Sequence, residues 1–210
     1  MTFFIIAITV LISIISFGNS NLFRKLTYSP FGIKYNRQGY RFFSYALVHA
    51  DVMHLLVNMF VLFSFGRVVE YIYSELFGVK GYLYFALLYL GGVVLSVTPA
   101  YGKHKDNPAY SAVGASGAVS AVVFASIILN PLAPIGILFI PFNIPAIIFG
   151  TLYLIYSAYM TGKAVDNVGH DAHFWGAVFG ILFTIVIKPA LVVHFYQTLA
   201  DALSSVTGLI

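Results

Sequence analysis

The chain has no cysteine among its 210 residues and carries little charge, with Asp, Glu, Lys and Arg making up only 9%. Without cysteine, disulfides, thiolate catalysis and zinc–thiolate sites are excluded. A soluble domain carries roughly 25% charged residues. Here 60% of residues are hydrophobic and the mean hydropathy is +0.91, which makes the chain an integral membrane protein. The scarce charges also leave long gaps: none falls in Met1–Phe23, in Gly81–Gly102 or in Asn107–Gly162. A helical span needs about 20 apolar residues. The last gap therefore holds two spans, with Asn130-Pro131 and Pro134 as the break between them. Segments near His49–Val69 and Val168–Lys188 bring the total to six.

The spans are predicted at 2–17, 49–69, 80–99, 113–129, 134–159 and 168–188. Runs of this length are α-helices rather than the alternating ten-residue strands of a β-barrel, so the expected fold is an all-α bundle of six transmembrane helices. Pro141 and Pro145 predict a kink in the fifth. The first segment lacks a basic leader and reads as a retained span, although Ser16-Phe17-Gly18 resembles a weak cleavage site. A pI near 9.2 reflects scattered basic residues in loops flanking the bilayer, not a nucleic-acid surface. The tail, 189–210, is apolar but interrupted by Gln197 and Asp201, and is read as an interfacial helix rather than a seventh span. The loop from Gly18 to Val48 mixes Arg24, Lys25, Lys34, Arg37 and Arg41 with many aromatics, as in "YRFFSYALVHAD". A loop so apolar is expected to be structured and partly embedded.

Polar residues inside the spans are few and grouped. Span two contains "HADVMHLLVNMF" with His49, His54 and Asn58; span four contains Ser116; span six contains "GHDAHFWGAVFG" with His170 and His173. Spans alternate in direction, so two, four and six enter from one side and bring these residues to similar depth. His54 and Asn58 are i, i+4 and share a face. His173, Gly176 and Gly180 share another, and Gly114, Gly117 and Ala121 give span four a small face to match. Glycines at that spacing let helix backbones approach closely, near enough for a serine Oγ to meet an imidazole. Seventeen residues at ~1.5 Å each reach only ~26 Å, short of a ~30 Å hydrocarbon core. Span four can thus begin below the surface, with Ser116 near a helix N-terminus that favours developing negative charge.

These parts meet the needs of acyl transfer. Ser116 is the candidate nucleophile and His173 the general base; the Ser116 N–H, His54 and Asn58 are candidate donors to the oxyanion. Each residue has a plainer explanation. Small-residue helix faces abound in membranes, His54 alone is more often a helix-linking donor, and His49 and His170 are read as structural or water-facing. Five such groups at one depth exceed what stability asks for, since an interhelical hydrogen bond contributes only about 0.6–2 kcal/mol in a membrane. A metal site built on His49, His54, His170 and His173 is the sharper competitor. Against it, HExxH is absent and His49 and His54 are i, i+5. Asp171 is two residues from His173 and points elsewhere on a helix, so a dyad is favoured over a triad.

Taken together, the motifs resemble those of rhomboid intramembrane serine proteases. Gly114-Ala115-Ser116-Gly117 is similar to the family's GxSG, "HADVMHLLVN" to its HxxxxHxxxN, and "AHFWGAVFG" to its AHxxGxxxG. "GRVVEYIYSELFG" resembles the turn after helix two, which gives Glu70 a structural role. The resemblance implies a bare six-helix core over 1–188, a Ser116–His173 dyad, and His54 and Asn58 in the oxyanion site. It further implies cleavage of single-span membrane proteins near the outer end of their transmembrane helix, with no metal or cofactor, in a plasma (inner) membrane. The cavity would open away from the cytoplasm.

Three departures stand out. Many rhomboids carry tyrosine four residues after the serine, under the imidazole; here the position is Ser120. The first loop's Trp-Arg is Tyr40-Arg41. Lys and Arg concentrate in loops one, three and five, leaving Arg67, Lys80 and Lys188 opposite, which by the positive-inside rule would put the first loop in the cytoplasm. The family orientation is preferred, because a structured, embedded loop is a poor case for that rule. Two other readings remain: a catalytically silent relative that binds transmembrane helices, and a small transporter. The absence of an inverted repeat speaks against the transporter.

Overall fold

A computed structural model of the chain describes residues 1–136, 143–161 and 169–208. Its long helices are α1 (Thr2–Phe17), α5 (Val52–Phe77), α6 (Lys80–His104), α7 (Ser116–Leu129), α8 (Ala146–Met160), α9 (His170–Ile187) and α10 (Ala190–Thr207). Between α1 and α5 lie α2 (Ser20–Leu26), α3 (Pro30–Asn36), α4 (Arg41–Ser44) and a 3₁₀ turn at Tyr45–Leu47. Strands β1 (Pro134–Gly136) and β2 (Asn143–Pro145) pair antiparallel, Ile135 opposite Ile144.

Helix α7 is the centre. Every residue from Gly117 to Leu129 is buried, as expected of a helix that is small and apolar all round. Around it pack α5, α6 and α9, with α8 and α10 on its flank and α1 held by α5. Helix α1 shows which solvent the outside meets. Its Thr2, Thr9, Ser13 and Ser16 are buried, while Phe3, Phe4, Leu11, Ile14 and Ile15 are exposed. Water would impose the reverse; a bilayer allows it. Helices α5, α6 and α9 are long and apolar enough to cross a membrane, while α1, α7 and α8 are shorter apolar helices.

The helix ends depart from expectation in informative ways. Helix α5 begins at Val52, not 49, because Asp51 caps it by accepting from the His54 N–H at 2.7 Å. It continues through the segment read as a turn to Phe77, where Gly78 at φ +59° ends it. Within this extension Glu70 accepts from the Thr2 N–H at 2.9 Å and the Thr2 hydroxyl at 2.7 Å, capping α1 from the side. Helix α6 runs past Pro99 to His104. The fifth predicted span is not one helix: Pro134–Gly136 and Asn143–Pro145 form the hairpin, and α8 starts only at Ala146. Pro145 is therefore the N-cap of α8 and makes no kink; Pro141 lies outside the described residues, as does Val168 at the predicted start of the sixth span.

The first loop is folded, as its aromatics suggested. Tyr28 is fully buried, its backbone pairs in both directions with Ala112 (2.9 and 3.2 Å), and its hydroxyl donates to Val97 O at 2.9 Å. The Tyr45 hydroxyl likewise donates to Val93 O at 2.7 Å. Arg41 ties the loop to itself, donating to Gln38 Oε1 at 2.6 Å, to Arg24 O at 2.9 Å and to Thr27 O. Lys34 forms an ion pair with Asp106, joining this loop to the one before α7. Both loops are thereby fixed over the end of the bundle at which α5, α7 and α9 begin.

Candidate active site

Ser116 is the first residue of α7, and the turn leading to it is held from two sides. Gly114 has φ +106°, a conformation that side chains resist. Its N–H donates to Tyr45 O at 3.0 Å, and the next N–H, of Ala115, donates to His49 Nε2 at 3.3 Å. His49 is fully buried, and its Nδ1 lies 3.0 Å from Ser13 Oγ, whose own proton goes to Leu47 O at 2.9 Å. The network admits one tautomer: Nδ1 donates to Ser13 and Nε2 accepts from Ala115. His49 is thus a structural clamp between α1 and the serine turn. Burial pushes its pKa down to about 4, consistent with a neutral ring.

His54 and Asn58 stand one turn apart at the start of α5. A Cβ added to Gly114 would lie 2.5 Å from His54 Cε1 and 2.8 Å from Nε2, so the imidazole rests directly on this glycine. Here positive φ and close approach together require glycine, two residues before Ser116. The His54 ring meets His49 edge-on at 5.0 Å. Asn58 is buried and donates from Nδ2 to His54 O at 2.9 Å, which uses one of its two amide protons.

The approach of α9 to α7 is as close as backbones allow. A Cβ on Gly176 would fall 2.0 Å from Gly117 O, and one on Gly180 would fall 2.1 Å from Ala121 O. This seam places the first turn of α9, which carries His173, beside the first turn of α7, which carries Ser116. The His173 ring is half-buried, stacked on Tyr153 of α8 (6.1 Å, 24°) and edge-on to His170 (6.1 Å, 76°). His170 is buried and edge-on to Tyr156 at 5.4 Å. Asp171 lies instead within electrostatic reach of His104 and Tyr110, whose rings stack at 3.9 Å.

The structure therefore brings His54 onto the serine turn and the His173 turn against the Ser116 turn, with Asn58 behind His54. Among the described residues, no three His, Cys, Asp or Glu side chains converge as a metal site would require, and both nitrogens of His49 are engaged in the clamp. Sequence reasoning missed one participant, Tyr153, and the partners of His49. The partners of His49, Ser13 and Ala115, are remote from it in the chain. Tyr153 gave no signal beyond the small residue at 120, whose hydroxyl it meets at 3.0 Å.

A family model described as the Rhomboid domain matches residues 36–190. The chain is 30% identical over 139 residues to Presenilin-associated rhomboid-like protein A, mitochondrial, of Danio rerio, an overlap of 64% of this chain and 34% of the relative. It is 30% identical over 144 residues to RHOMBOID-like protein 12, mitochondrial, of Arabidopsis thaliana, covering 63% and 41% of the two chains. To Rhomboid-related protein 2 of Mus musculus it is 34% identical over 108 residues, covering 50% and 32%. The matched parts amount to less than half the length of each relative.

Proposed function

The chain belongs to the rhomboid family, and from that premise we propose that it is an intramembrane serine endopeptidase working through a Ser116–His173 dyad. The observation that carries the reading is the seam at Gly117 and Gly176, which sets the turns bearing the two residues side by side while His54 lies on Gly114. Ser116 Oγ attacks the carbonyl carbon of a peptide bond in or near a substrate's transmembrane helix, and its proton passes to His173. The Ser116 N–H, His54 and Asn58 donate to the oxyanion. When the tetrahedral intermediate collapses, the C–N bond breaks and His173 returns the proton to the leaving amine. Water then repeats the sequence on the Ser116 ester and releases the new carboxyl end. Helix geometry supports the oxyanion assignment, because amides in the first turn of α7 have no intrahelical acceptor. No step calls for a metal or cofactor.

The same proposal has α1, α5, α6, α7, α8 and α9 cross the bilayer six times, as the catalytic core 1–188, with α10 lying in the interface. The substrate reaches the site from the bilayer, and the site opens away from the cytoplasm, in the plasma (inner) membrane. Fractionation of the native host checks the location, since two of the relatives carry "mitochondrial" in their names.

The deciding experiment is cleavage of a reporter transmembrane substrate by purified protein in liposomes. Wild type should cut with or without EDTA, and Ser116→Ala and His173→Ala should each abolish cutting. Loss of cutting with EDTA would point to a metal site instead. If no reporter is cut, labelling of Ser116 by a fluorophosphonate still identifies a live nucleophile. Absence of both sinks the protease reading in favour of a silent helix-binding relative.

A further inference from the structure

We propose that Tyr153, on α8, is the positioning residue that orients His173 as general base. The inference rests on the reading of Ser116 and His173 as the dyad. An imidazole at the start of a helix can rotate about two side-chain bonds, and a base must hold one ring orientation toward the hydroxyl it deprotonates. In this chain the face of the His173 ring lies on the face of Tyr153, 6.1 Å between centroids and 24° between planes. This is the offset-stacked geometry that aromatic rings favour.

Tyr153 is itself fixed by two helices, α8 and α7. Its backbone belongs to α8, where Phe149 stacks on it at 6.0 Å. Its hydroxyl lies 3.0 Å from Ser120 Oγ on α7, and Phe124 of α7 flanks the ring at 5.9 Å. Ser120 follows Ser116 by four residues and so lies on the same face of α7. The small serine there leaves room for the Tyr153 ring, and its hydroxyl anchors that ring's outer end. A large aromatic at 120 and Tyr153 would compete for the same volume, so the pair is complementary in size. Because the ring comes from α8, and not from the helix that carries the nucleophile, the orientation of the base depends on how α8 is seated.

The test is a set of four variants in the reporter assay, with the circular-dichroism spectrum and Tm of each recorded. Tyr153→Leu, which keeps bulk but removes the flat face, should lower kcat by about 10²-fold with KM little changed. It should also displace the pH profile of kcat. Tyr153→Phe keeps the stack and loses only the hydroxyl's contacts with Ser120 and Ser157, so it should retain most of the rate. Leu152→Ala, at an exposed α8 position outside the site, controls for general damage to that helix. Tyr153→Ala combined with Ser120→Tyr supplies a ring from α7 instead and should recover much of the rate that Tyr153→Ala alone loses.

A Leu variant with wild-type kcat and pH profile overturns the proposal. So does a double variant that regains stability without regaining rate. The ring-proton NMR shifts of His173 give a readout independent of cleavage: stacking should hold them upfield in wild type and Tyr153→Phe and release them in Tyr153→Leu. Unmoved shifts also overturn it. Should wild type neither cut nor label at Ser116, the protease reading fails, while these shifts still decide whether Tyr153 orients His173.

Discussion

At the scale of single residues, the site depends on groups whose jobs are separable. His54 and Asn58 are assigned to the oxyanion, where losing one donor typically lowers the rate by about 10²–10³-fold. His54→Ala and Asn58→Ala should therefore each lose that much kcat in the reporter assay, while a protein with Ser116→Ala is silent. His49 behaves differently, because it holds the turn and touches no reacting atom in the proposed mechanism. Its folded pKa of about 4 lies below the ordinary histidine value of 6.5. The unfolded chain takes up a proton near pH 6.5, whereas the folded chain resists until about 4. His49 thus leaves folding unpenalised above pH ~6.5 and destabilises the fold by up to about 3 kcal/mol as pH falls through that window. Protonation would also remove the Nε2 lone pair that accepts from Ala115. The Tm in detergent should fall between pH 6.5 and 4, and His49→Asn should flatten that fall; an unchanged slope would count against the clamp. The candidacy of these residues is legible in the sequence, since histidine, asparagine and serine are conspicuous in apolar spans. The clamp is not, because it is made by Ser13 and Ala115, which lie 36 and 66 residues from His49.

Among the helices, the decisive contact is the α7–α9 seam. The spacing of Gly176 and Gly180 alone marks them as packing residues, and a Cβ at either would meet a backbone oxygen at about 2 Å. Carbonyls of a central helix cannot swing aside, so Gly176→Ala should push the helices apart. Overpacking of this kind costs about 1–3 kcal/mol. It should lower both Tm and cleavage, and a Gly176→Ala protein with wild-type Tm would show the seam to be looser than drawn. A second element-scale prediction concerns α1. Glu70 caps its first turn, so Glu70→Ala should lower Tm by the equivalent of about 1–2 kcal/mol, as for a lost helix cap. Where helix limits were misjudged, the reason was local chemistry overriding composition. Asp51 starts α5 late, Gly78 ends it late, and Pro134–Gly136 pairs with Asn143–Pro145 as antiparallel strands within a stretch as apolar as a span.

For the whole molecule, the three helices long and apolar enough to cross a membrane, the shorter apolar helices beside them and the exposed hydrophobic flanks, all among the described residues, place the chain in a bilayer. The proposed orientation is testable because the chain has no cysteine of its own. Exposed Val79, between α5 and α6, and exposed Lys103, at the far end of α6, should lie on opposite sides. In sealed cells an impermeant maleimide should label Lys103→Cys and spare Val79→Cys; the reverse pattern would invert the orientation and vindicate the positive-inside count. The sequence by itself determined the solvent, through its lack of charge, and the mostly helical architecture, through the long apolar runs between the few charges. It also raised the expectation that Ser116, His54 and His173 come together, because alternate spans enter from the same side. Periodicity carries such information, since each depends on neighbours in the chain. Only the tertiary structure decided what holds those residues in place: His49 bridging α1 to the serine turn, Gly114 accommodating His54, and Tyr153 lying on His173 across from a serine too small to do so. Each of these joins segments remote in the chain, and a pairing between remote residues is set by how helices pack, which no local pattern encodes.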